Sequence, residues 1–157
     1  MIATKLTAYL DAQGVPYEVI EQPGPVYTAQ EIADAAHISG KQLVKTVMLW
    51  LDGELVMAVL PASYRVNLAR LQRLVGAKQI KLASEAEFRT RFPDCQAGAM
   101  PPFGNLYELP LYAAQNLADQ LEIAFCAGSH TELVRMALAD FIHLAQPEIL
   151  DFAWLPA

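Results

Sequence analysis

Three features of this 157-residue chain predict one α+β domain with a largely antiparallel or mixed sheet. Helical and strand-like patterns are interspersed without a regular βαβ rhythm. The most apolar stretch, Val44 to Leu60, is two strand-like runs joined by Asp52-Gly53, a two-residue turn of the type that closes hairpins. Hydrophobic residues make up 54% of the chain against 18% charged, enough for a real core at a length that fits a single domain spanning residues 1–157.

The elements follow in order. Ile2, Leu6, Tyr9 and Leu10 share one side of a helix over residues 2–13, which Gly14 stops. Residues 17–20 form a short strand. Gln22-Pro23-Gly24-Pro25 is a rigid loop, because its prolines restrict the backbone and remove two donors. Thr28-Ala29-Gln30-Glu31 is a capping-box pattern that opens a helix towards His37. Val44 to Leu51 and Glu54 to Leu60 are strands so apolar that both faces should be covered. Asn67 to Val75 is a helix ended by Gly76, and residues 79–82 are a strand. Ser84-Glu85-Ala86-Glu87 opens a short helix with acidic residues in its first turn. Residues 98–104 are a Pro/Gly loop, and later strands are expected at 106–109, 111–114 and 121–125. A turn at 127–130, a strand over 131–136 and a helix capped by Asp140 and running to Leu144 complete the chain.

Composition excludes several classes. Disordered chains are more polar and more highly charged. No apolar run reaches the ~18 residues of a membrane span, so no membrane association is expected. The first residues lack the apolar block of a secretory signal, which points to the cytosol. Cys95 and Cys126 make no disulfide framework. With His37, His130 and His143 they show no paired metal-ligand spacing, and no phosphate-loop or dinucleotide fingerprint is present. Neither a metal nor a cofactor is therefore expected.

The net charge of −6 hides an asymmetry. Between Arg65 and Arg91 stand seven of the 11 basic residues (Arg65, Arg70, Arg73, Lys78, Lys81, Arg89, Arg91) and only two of the 17 acidic ones. A cationic strip on an acidic body suits a polyanion held at one face, while the acidic remainder discourages unspecific binding. The alternative is a solvated surface with scattered arginines.

Three features could carry chemistry. Lys45 sits in an apolar run, where its ammonium must meet an anion or snorkel to water. Gly98-Ala99-Met100-Pro101-Pro102-Phe103-Gly104 is a stiff loop whose glycine ends can offer backbone N–H groups to a carbonyl oxygen or oxyanion, or else is an ordinary rigid turn. Gly128-Ser129-His130 places a histidine after an apolar strand, as an acid/base, a ligand to water or a turn residue. Cys126 with His130 could form a nucleophile pair, although a small thiol in a strand is more often simply buried.

In order along the chain, Val26-Tyr27-Thr28-Ala29-Gln30-Glu31, Val44-Lys45-Thr46-Val47, the Gly98–Gly104 loop and Ala127-Gly128-Ser129-His130 resemble the YbaK/prolyl-tRNA-editing family of aminoacyl-tRNA deacylases. The resemblance covers about residues 3–146. It implies a mixed sheet curled towards a barrel with helices around it. It also implies a free-standing hydrolase that removes a small amino acid (alanine, cysteine, serine or threonine) from mischarged tRNA. On this resemblance Lys45, Gly98 and His130 are the catalytic positions. Tyr27, Thr28, Thr46, Ala99, Met100, Pro102, Gly128 and Ser129 line the substrate. Arg65, Arg70, Arg73, Lys78 and Lys81 follow the acceptor stem. The implied partners are aminoacyl-tRNA and a synthetase, not DNA. Lys45-Thr46 looks like the cysteinyl-editing branch, whereas the alanyl branch usually has asparagine after the lysine. His130 looks like the editing domain of prolyl synthetases, and Cys126 stands where several relatives have asparagine. The alternative function is a module that binds tRNA or an aminoacyl ligand without turnover.

Overall fold

The computed structural model describes residues 4–21, 38–96 and 98–155. The loop at 22–25, the Thr28 capping box, Tyr27 and His37 lie outside them. Helix α1 (Thr4–Gln13) leads through Gly14, at φ +67°, into β1 (Tyr17–Glu21). The hairpin forms as expected from β2 (Leu43–Leu51) and β3 (Glu54–Pro61). Asp52 at φ +49° and Gly53 at φ +83° give the double left-handed turn that matches strand twist.

The short β4 (Arg65–Val66) precedes α2 (Leu68–Val75), where the Asn67 side chain accepts the Arg70 N–H at 3.1 Å and Gly76 closes the helix at φ +71°. After β5 (Ile80–Leu82), the one-turn α3 (Glu85–Phe88) carries a full capping box between Ser84 and Glu87. The later elements are β6 (Leu111–Ala114), β7 (Glu122–Ser129), β8 (Glu132–Ala137), α4 (Leu138–Ala145), β9 (Glu148–Leu150) and β10 (Ala153–Trp154).

Three expectations are corrected. Residues 106–109 are not a strand. Gly104–Tyr107 is a 3₁₀ turn that closes when the Leu109 N–H donates to the Gly104 carbonyl at 2.9 Å. Asp140 does not cap the last helix, which starts at Leu138 after Ala137, so Asp140 lies in its first turn. The strand expected to end at Phe125 continues to Ser129 through a bulge between Cys126 and Ser129.

The main sheet runs β1-β8-β7-β2-β3-β6-β9, with β5 added to β2, and curls into a half-barrel; β4 and β10 pair separately. It is mixed, because β7 on β2, β6 on β3 and β9 on β6 are parallel and the other pairs are antiparallel. Inside the curl, Val44, Met48, Met57, Phe125 and Val134 meet Leu6 and Leu10 of α1 and Phe141 of α4. Outside it, Leu49, Val56, Ala58 and Leu60 pack with Leu71 of α2 and Phe152.

One detail of this topology positions the site. On the edge facing away from β3, β2 pairs with β7 only at Leu43 and Val44, and with β5 only at Leu49–Leu51. Among the described residues, the stretch from Lys45 to Met48 thus has a strand partner on one side alone. The sheet parts there, and the Pro/Gly loop enters the parting.

Candidate active site

The loop is anchored from within. Phe103 is fully buried and meets Phe125, Phe141 and Tyr9 edge-on at 5.8, 5.4 and 6.2 Å. Met100, Pro101, Pro102 and Gly104 are buried with it, so the segment is an inserted loop and not a surface turn. A Cβ on Gly104 would lie 2.6 Å from the Leu109 carbonyl oxygen, which explains a glycine at that end. Thr46, in the parting of β2, donates its hydroxyl to the Met100 carbonyl at 3.1 Å and ties loop to strand.

The other end of the loop faces out. Gly98 is exposed at φ +79°, and a Cβ there would sit 3.5 Å from Cε1 of His130. Three hydrogen bonds lace this end to the β7–β8 turn, and a fourth closes the loop on itself. Gln96 N–H donates to the Gly128 carbonyl at 2.8 Å, and Gly128 N–H donates to the Ala99 carbonyl at 2.8 Å. Ala99 N–H donates to the Gln96 carbonyl at 3.0 Å, and His130 N–H donates to Oε1 of Gln96 at 3.0 Å. Gly128, at φ +101°, is the bulge that lets the turn approach so closely.

Several expected site residues are thereby given structural work. The Ala99 amide is committed to Gln96 and is not an oxyanion donor, which leaves Gly98 to face the open side. Ser129 is buried, and its hydroxyl is shared with Thr131 Oγ1 at 3.0 Å while accepting the Thr131 N–H. Gln96 joins loop and turn through both its backbone and its side chain. The sequence carries no pattern that marks it.

Lys45 follows a different course. Along β2, Val44 and Met48 face the inner core, while Leu43, Val47 and Leu49 face the opposite side. Alternation therefore sends Thr46 towards the glycine loop and Lys45 to the other face of the strand. The Lys45 side chain is half-buried there. Desolvation, reinforced by the positive charge of Arg65, holds its ammonium below the ordinary lysine range.

The basic strip is exposed throughout and spread over β4, α2, the turn before β5, β5 itself and the 3₁₀ turn Arg89–Arg91. Arg70 is held by Asp151 at 2.9 Å, and Arg91 Nη2 reaches the Tyr107 carbonyl at 3.4 Å.

Cys126 packs among Ile20, Ile38, Leu43 and Leu133, on the face of β7 opposite Phe125. Burial pushes its thiol up to about 12, so at pH 8 only about one molecule in ten thousand carries the thiolate. A thiol mechanism is thus disfavoured. Cys126→Ser should retain full activity, and iodoacetamide at pH 8 should leave Cys126 unlabelled in peptide mass spectra of the folded protein. Inactivation by alkylation at that residue would reverse this conclusion.

Comparisons with known proteins identify the family. The model of the aminoacyl-tRNA editing domain matches residues 23–144. The chain is 34% identical over 152 residues to the multifunctional Ser/Thr-tRNA deacylase ProXp-y of Escherichia coli K12, covering 94% of this chain and 90% of that protein. It is 36% identical over 104 residues to the proline–tRNA ligase of Staphylococcus aureus strain Newman, covering 66% of this chain but only 18% of the ligase. The crystal structure of a candidate trans-editing enzyme for prolyl tRNA synthetase superposes with a TM-score of 0.84, covering 97% of this chain and 96% of that one at 24% identity, and shares the fold. On the family model and the likeness to the Escherichia coli deacylase over nearly its whole length, the chain belongs to the aminoacyl-tRNA editing domain family.

Proposed function

We propose that this protein is a free-standing deacylase that hydrolyses the ester between a small amino acid and the 3′-terminal ribose of a mischarged tRNA. The observation that carries this reading is the match to a Ser/Thr-tRNA deacylase over nearly the whole of both chains. Serine and threonine are accordingly the first candidates, ahead of alanine and cysteine. The place of action is the cytosol, and the partner upstream is the synthetase that misacylates the tRNA.

The chemistry asks little of side chains. An aminoacyl ester is already activated, so positioning a water and stabilising the developing oxyanion supply most of the acceleration. The Gly98 amide, at the exposed end of a loop fixed at both ends, is the donor for that oxyanion. His130, whose ring a Cβ on Gly98 would touch, orients the attacking water or the ribose hydroxyl that activates it. Lys45, on the other face of β2, holds a phosphate oxygen of the terminal nucleotide. Thr46, Met100 and Pro102 shape the floor, and Gly128 and Ser129 fix the wall. Water adds to the ester carbonyl carbon, and the ribose oxygen leaves with a proton. Arg65, Arg73, Lys78 and Lys81 contact acceptor-stem phosphates, which position the RNA without reading its sequence, while Arg70 is held by Asp151.

The test is a panel of Ser-, Thr-, Ala- and Cys-charged tRNAs, on their cognate tRNAs and on tRNA for proline, incubated with the purified protein. Loss of Ser- or Thr-tRNA is the expected result. Salt-sensitive binding with no hydrolysis of any species would replace the enzyme with a binding module.

A further inference from the structure

A second feature lies outward from Lys45. Strand β10 pairs antiparallel with β4, setting Trp154 directly opposite Arg65 and Ala153 opposite Val66. Ala153 and Val66 pack into the outer core with Phe152. Alternation therefore turns both Trp154 and Arg65 outwards, side by side, with their Cβ atoms about 5 Å apart. Trp154 is 48% exposed and the neighbouring Leu155 is 56% exposed, unusual for an indole that could have been buried.

The platform is rigid. Arg70 grips the Asp151 carboxylate at 2.9 Å and its carbonyl at 2.5 Å, and Asn67 N–H donates to the Phe152 carbonyl at 2.7 Å. These bonds dock the segment before Trp154 onto the start of α2. Arg70 is thus occupied, whereas Arg65 makes no ion pair among the described residues. Arg65 is also the charge that acts on Lys45, and it stands opposite Trp154.

We infer that Trp154 is a stacking platform for an unpaired base near the 3′ end of the RNA substrate, with Arg65 beside it on the adjoining phosphate. This rests on the deacylase reading, which brings a single-stranded acceptor end to Lys45. An exposed aromatic face next to an unpaired guanidinium is how proteins hold single strands without reading sequence. The acidic remainder of the surface would repel the same strand elsewhere.

Two measurements test it. In a Trp50→Phe background Trp154 is the only indole, since the chain has two tryptophans. Its emission should be quenched saturably by the RNA oligonucleotide ACCA. In the otherwise native protein, Trp154→Ala should raise KM for the mischarged tRNA about tenfold and leave kcat within roughly twofold, while Trp154→Phe restores KM. Emission indifferent to ACCA together with an unchanged KM overturns the inference while leaving the deacylase standing. Quenching by ACCA in a protein that hydrolyses no charged tRNA sustains the platform and removes the deacylase.

Discussion

Lys45→Ala is expected to lower kcat/KM for deacylation by about 10²–10³-fold, the usual cost of removing one charge-stabilising contact from a preorganised site. The folded state should not suffer. In the fold the ammonium is desolvated and faces Arg65, so its proton is bound less tightly than in the unfolded chain. A lowered lysine pKa means that this residue's contribution to stability rises with pH, and that at neutral pH its charge is a cost. Circular dichroism should show Lys45→Ala melting at or slightly above the wild-type temperature. The same shift has a kinetic signature. If the cation is the active form, kcat/KM should fall as pH rises through a value below that of an ordinary lysine, once background ester hydrolysis is subtracted. Lys45→Arg keeps its charge at any accessible pH, so this alkaline limb should vanish in that variant even where the rate is reduced. Unchanged kcat/KM in Lys45→Ala would remove the anion site from the mechanism.

How far the sequence discloses this site depends on what kind of fact is asked of it. The hairpin was legible because Asp52-Gly53 has only one economical conformation between two apolar runs, and the structure adopts it. Asn67 and Gly76 marked α2 for the same local reason. Residues 106–109 misled because Leu106, Tyr107 and Leu109 are apolar enough for a strand, yet their burial comes from a 3₁₀ turn under Phe103. Nothing local distinguishes the two. β4, β9 and β10 are two or three residues long and exist through pairing alone, too short for any period to show. The glycine loop was visible, but its insertion into the core was not, because that depends on three aromatic partners distant in sequence. The parting of β2 between β7 and β5 is a property of topology, and Gln96 acquires its role only there.

The two ends of the glycine loop should separate stability from activity. At Gly104 an added methyl would meet a backbone oxygen at 2.6 Å and the Leu111 Cβ at 3.1 Å. That oxygen belongs to Leu109, whose own N–H is bonded to the Gly104 carbonyl, so neither side can withdraw without breaking the turn. Gly104→Ala should cost about 2–3 kcal/mol, the scale of overpacking a filled core. For a domain of this size that lowers Tm by roughly 5–10 °C in a calorimetric scan. Whatever remains folded should hydrolyse its substrate, because the strain lies at the buried end. At Gly98 the sign reverses. A methyl there reaches only 3.5 Å from the His130 ring, ordinary contact, but the residue must hold φ +79° at a cost of about 1–2 kcal/mol. The loop can relieve this by rotating the Gly98 peptide, since that end is exposed, and rotation turns the amide away from where the oxyanion forms. Gly98→Ala should therefore melt within a few degrees of wild type and lose about 10²-fold in kcat. A Gly98→Ala enzyme with native kcat would show that the oxyanion is held elsewhere.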